Sequence, residues 1–154
     1  HGSAPSLHTL GLGSNSIGPV GAEALAAVLC RGAKPKLAIL VLNDNPVGSQ
    51  GVAALAAPLC KMPALTSLHL GKCNIGDEGV ASLVANIGKD DFKKLLVLFL
   101  PLNKITDTGC ATLARVRDAP NSNAFPKLEQ LFLMENPASA AARQAAKDAL
   151  GCHR

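Results

Sequence analysis

The chain has 154 residues, 48% of them hydrophobic and 17% charged, with a formal net charge of +4. That balance suits a folded protein with a core of its own and excludes a disordered segment or a strongly basic nucleic-acid arm. Aromatic residues make up only 3%, with no Trp and no Tyr, so the core must be Leu, Ala and Val in thin layers.

His1, Gly2 and Ser3 read as the remnant of an expression tag and are set aside, leaving 4–154 as the folded unit. The first predicted element is a short strand through Leu7, Leu10 and Leu12, closed by a turn at Asn15. Ile17 and Gly21 follow, and Ala22, Leu25, Ala26 and Leu29 then recur at helical spacing. The same order returns with Leu37, Leu40, Leu42, Asn45, Val47 and Gly51, then a helix that Pro58 should end or bend in its last turn. Leu65, Leu68, Leu70, Ile75 and Gly79 make a third unit, with Cys73 in the Asn position as a weaker donor. The fourth runs Leu95, Leu98, Leu100, Asn103, Ile105 and Gly109. The fifth has Leu128, Leu131, Leu133 and Asn136, with Ala138 in place of Ile.

The first leucines stand at 7, 37, 65, 95 and 128, a period of 28 to 33 residues. Each Asn is expected to hydrogen-bond backbone groups at its own turn and in the next repeat. Helix starts carry capping or first-turn residues at Pro19, Ser49, Asp77, Thr106 and Asp107. Phe92 and Phe125 each precede a first leucine by three residues, which makes them core fillers. The last helix places Arg143, Gln144, Lys147 and Asp148 outward, a polar face that closes a stack.

With LxxLxLxxN and the IGxxG pattern, the sequence resembles the leucine-rich repeat proteins, in particular their ribonuclease-inhibitor-like subclass. The resemblance covers Leu7 to about Leu150. It implies an α/β solenoid of about five repeats, with a parallel sheet on the concave face and α-helices on the convex face. The first repeat shows no capping device, so the chain is read as the C-terminal part of a longer solenoid, able to self-associate through that end or through an apolar concave patch.

If the leucines face the core, the residues between and after them face the concave surface. In the fourth repeat the run LLVLFLPLNKI at 95–105 is apolar on both faces, where a solvated sheet face would alternate with polar residues. Val97, Phe99, Leu102, Phe132 and Met134 should therefore form a patch, with Ile39 and Val41 as a second apolar spot and His69 between them. A protein partner binding there is the leading expectation. Strand preference of β-branched and aromatic residues is the plainer explanation.

Basic residues gather where helices end: Arg31, Lys34, Lys36, Lys93, Lys94, Arg115 and Arg117 would stack into one edge. Complementation of helix dipoles accounts for most of this pattern. RNA is disfavoured because Phe99 and Phe132 lie on another face. Catalysis is not expected: Ser67, His69 and Asp44 could be imagined as a triad, but two residues on one strand lack an elbow and oxyanion donors. No cofactor, metal site or membrane span is expected either. Five scattered cysteines without metal-ligand spacing suggest free thiols in a reducing, cytoplasmic setting. A fragment of a GTPase-activator or sensor-type regulatory protein, and a purely structural solenoid segment, stand as the other readings.

Overall fold

The computed structural model describes residues 7–31, 36–85, 87–88, 91–118 and 123–152. Strand and helix alternate through the chain: β1 (Thr9–Gly11), α1 (Pro19–Arg31), β2 (Ile39–Val41), α2 (Gly48–Cys60) and β3 (Ser67–His69). Then come α3 (Asp77–Val84), β4 (Val97–Phe99), α4 (Asp107–Ala114), β5 (Gln130–Phe132) and α5 (Ala140–Ala149). The strands form one parallel sheet in the order β1-β2-β3-β4-β5, and each helix packs against the next.

Register follows the leucines. Leu10, Leu40, Leu68, Leu98 and Leu131 are mutual partners across the sheet. The last four are at most 1% exposed, and each buried leucine contributes roughly 1.5–3 kcal/mol. The first repeat departs from that expectation. Leu7 is 54% exposed and Leu10 and Leu12 are half-buried, because β1 is an edge strand with a layer on only one side among the described residues.

The turn asparagines do most of the joining, but toward the opposite neighbour from the one expected. Asn103 Oδ1 accepts from the amides of Cys73 and Ile75, and its Nδ2 donates to the carbonyls of Leu70 and Leu100. Asn45 does the same for Asn15, Ile17, Leu12 and Leu42. The partners lie in the Asn's own turn and in the preceding repeat. The reason is the direction of stacking: each turn sits over the unsatisfied amides that follow the previous strand.

Helix starts are linked in the other sense. Ser49 Oγ accepts from the Gly76 amide, Asp77 Oδ1 from Thr106 and Asp107 Oδ1 from Ser139. A residue in the first turn of one helix thus serves the entry to the next. Helices come close enough there that a Cβ at Gly79 would lie 2.7 Å from Ile75 Cγ2 and 2.9 Å from Ser49 Oγ. This explains the recurring glycine.

Pro58 lies inside α2, which ends two residues later at Cys60. Phe92 and Phe125 are 1% and 0% exposed and stack at 5.3 Å, as core fillers should. Helices α3 and α4 are only 8 residues long, against 13 for α1 and α2. In α5 the expectation holds only in part. Gln144 and Asp148 are exposed and bonded to each other, whereas Arg143 and Lys147 are half-buried, their stems lying over the end of the core.

Candidate functional site

The strands set two rows of side chains on the sheet face opposite the leucines. One row is Thr9, Ile39, Ser67, Val97 and Gln130; the other is Gly11, Val41, His69, Phe99 and Phe132. From Ile39 onward these residues are half-buried while the leucine between each pair is buried. In the second row the rings of His69 and Phe99 lie 5.2 Å apart at 39°, and those of Phe99 and Phe132 lie 5.4 Å apart at 60°. Tilted pairs at such distances contribute about 0.5–1.5 kcal/mol beyond the area they bury.

The structure therefore brings Ile39, Val41, His69, Val97, Phe99 and Phe132 together in cross-strand register. Two expected members stand apart. Leu102 is 53% exposed in the turn after β4, at φ +59°, and lines a separate hollow with Asp44, Lys72, Asn74 and Lys104. Met134, 45% exposed, follows β5 and lines a cleft against α5. Sequence reasoning missed Gly71. A Cβ there would meet Phe99 Cε2 at 3.0 Å, so the bare glycine lets the phenyl ring lie back over the end of β3. The signal available was the row itself, which reads Asn43, Gly71, Pro101 and Met134 in successive repeats.

His69 Nε2 and Ser67 Oγ are 2.8 Å apart. Burial pushes the His69 pKa below its ordinary value, so the imidazole is neutral at pH 7 and belongs to the apolar row. Asp44 does not complete a triad. Its carboxylate accepts from Ser14 Oγ at 2.9 Å and pairs with Lys72 at 3.7 Å.

The basic edge is uneven. Arg31, Lys36, Lys93, Lys94 and Arg115 are exposed, and Lys34 lies outside the described residues. Arg117 does not join them as a solvent-facing cation. It is half-buried, and its guanidinium donates to the carbonyls of Ala124 and Phe125, fixing the chain that carries Phe125 into the core. Lys61 pairs with buried Asp91 at 2.8 Å. The Lys61 ammonium and the Gly88 amide bond the Asp91 carboxylate and hold its pKa down despite its burial.

Among the described residues no helix is long and apolar enough to cross a membrane, and no group of three or more Cys, His, Asp or Glu could hold a metal ion. The buried cysteines, Cys60, Cys73, Cys110 and Cys152, are free thiols, and Cys30 is exposed. Burial pushes all four buried thiols up, Cys60 and Cys73 to about 11.

The family model described as "Leucine Rich repeat" matches residues 3–26, 33–56 and 61–84. The fold is that of a leucine-rich-repeat solenoid. The fourth and fifth turns of the solenoid follow the same register although the family model does not extend over them. Among solved structures, the leiomodin-1 actin-binding site 2 is similar to the solenoid, with a TM-score of 0.72 at 14% identity over 96% of this chain and 81% of that one. The likeness at that identity is one of fold. Comparison with curated proteins returns no match.

Proposed function

We propose that the solenoid is a non-catalytic protein-interaction module that takes its partner on the concave sheet face. Val97, Phe99 and Phe132 are the anchors, and Ile39, Val41 and His69 extend the site. The observation that carries this reading is the row His69–Phe99–Phe132, three rings in contact on a half-exposed sheet face. Aromatic and Met side chains are enriched at the centres of interfaces. The rings are already ordered by strand register, so a partner meets a surface that loses little conformational entropy on binding. The 13-residue helices α1 and α2 favour the ribonuclease-inhibitor-like subclass, and the free thiols favour a reducing, cytoplasmic setting.

The test compares wild type with the Phe99→Glu/Phe132→Glu variant in affinity capture from lysate of the source organism. Actin, for which the leiomodin-1 segment is named, is the first defined protein to assay alongside. Wild type should retain proteins that the variant loses, while the two share the same circular dichroism spectrum. Equal capture by both would sink the concave site. Loss of capture on Lys93→Glu/Lys94→Glu, with steep salt dependence, would move it to the basic edge.

A further inference from the structure

Every strand-to-strand step repeats one backbone pattern. The last leucine and the residue two further on donate their amides to the next repeat. Leu12 and Ser14 donate to the carbonyls of Val41 and Asn43, Leu42 and Asp44 to those of His69 and Gly71. Leu70 and Lys72 bond Phe99 and Pro101 in the same way, and Leu100 and Leu102 bond Phe132 and Met134. The equivalent amides of the fifth repeat belong to Leu133 and Glu135, and no acceptor for either is found among the described residues. Glu135 holds the same left-handed backbone, φ +59°, that presents the Asp44, Lys72 and Leu102 amides. The donor pair is thus already set in the geometry that the other repeats use.

Beside this edge lies a cleft of about 240 Å³ between β5 and α5, lined by Leu131, Leu133, Met134, Arg143, Gln144 and Lys147. Arg143 lines this cleft, and its Nε is buried with no hydrogen-bond partner among the described residues. Neither Arg143 nor Lys147 forms an ion pair among the described residues; Asp148 accepts from Gln144 and Asp107 from the Ser139 amide. An unpaired buried guanidinium N–H next to an ammonium fits a carboxylate, which Arg binds through paired, charge-assisted hydrogen bonds.

We propose that the outer edge of β5, with Arg143 and Lys147, is a binding site for an extended acidic peptide that adds as a further parallel strand. Its carbonyls accept from the Leu133 and Glu135 amides. Its inward side chains fill the cleft against Leu131 and Leu133, and an Asp or Glu among them reaches Arg143. Main-chain pairing supplies the affinity and the carboxylate the specificity. Phe132 and Met134 border the cleft as well, but the pairing amides and the two cations lie outside the concave ring row, so the test does not depend on that face.

The probes are acetyl-TVTVTV-amide peptides carrying one Glu at each position in turn, titrated into the 15N-labelled chain. In the free protein the Leu133 and Glu135 amides should exchange with solvent much faster than those of Leu100 and Leu102. The best Glu peptide should shift and protect Leu133 and Glu135, and its Gln counterpart should bind about tenfold more weakly. Arg143→Gln should erase the difference between the Glu and Gln peptides while leaving the spectrum of the free protein otherwise intact, and Arg143→Lys should restore part of it. The proposal is overturned if the two amides are already protected in the free protein. It is equally overturned if no peptide binds at millimolar concentration, or if Glu and Gln peptides bind alike.

Discussion

The turns at Asn103 and Cys73 occupy equivalent places in neighbouring repeats and solve the same problem differently. Asn103 is both acceptor and donor, taking two amides of the preceding repeat and giving its own to carbonyls on both sides. Cys73 offers less: its thiol donates to the Leu42 carbonyl at 3.1 Å and accepts weakly from the Asn45 amide, but it does not take the Val47 amide. The backbone there has rearranged in response. The Val47 amide turns to the Asn45 carbonyl, Gly48 adopts φ +71° and its amide bonds the Cys73 carbonyl. A side-chain deficit in one repeat is met by a glycine in the repeat before it. The two residues stand 25 positions apart in sequence yet act as one unit.

The largest effect should come from breaking the better turn. Asn103→Ala strands the buried amides of Cys73 and Ile75 and should cost about 3 kcal/mol or more. Urea unfolding would read it, and a loss below 1 kcal/mol would mean that water replaces the side chain at no great cost. Next comes the compensating glycine. Gly48→Ala meets only an ordinary contact, with Pro19 Cγ at 3.9 Å, so its expected cost of about 1–2 kcal/mol is that of a left-handed backbone. Gly76→Ala is the control, at φ −102° with its nearest contact 3.7 Å away, and should stay within about 0.5 kcal/mol of wild type. Equal losses at the two positions would remove the link between Gly48 and Cys73.

The smallest effect is one of pH. Burial pushes the Cys73 thiol up to about 11 from 9.0, so the folded chain keeps a proton that the unfolded chain releases. The stability this confers is intact below pH 9 and falls as pH rises from 9 toward 11. The thiol's share of that loss at pH 10 is about 1 kcal/mol, and Cys73→Asn should make the decline between pH 8 and 10 shallower. A decline as steep as that of wild type would place the alkaline sensitivity in the other buried thiols.

Much of this molecule was legible in its residues. The period-2 leucines placed all five strands and their register, because a one-residue slip would turn Leu40, Leu68, Leu98 and Leu131 to solvent. Phe92 and Phe125 were legible as core from their common offset. The direction of the asparagine bonds was not, since a side chain of fixed reach could serve either neighbour and only the stacking decides. Arg117, Arg143 and Lys147 read as surface cations because their charge is visible in sequence while the burial of their stems is not. Met134 and Leu102 were grouped with the aromatic row by adjacency, but turns carry them elsewhere. The ring row itself followed directly from register.

The direction of those asparagine bonds also sets a schedule for synthesis. When Leu70 to Ile75 have left the ribosome, the residue that will satisfy the Cys73 and Ile75 amides is still inside the exit tunnel, roughly thirty codons behind. Each nascent repeat therefore waits, with its turn unfinished, for its successor to emerge. Completion runs along the chain one repeat behind emergence from the tunnel.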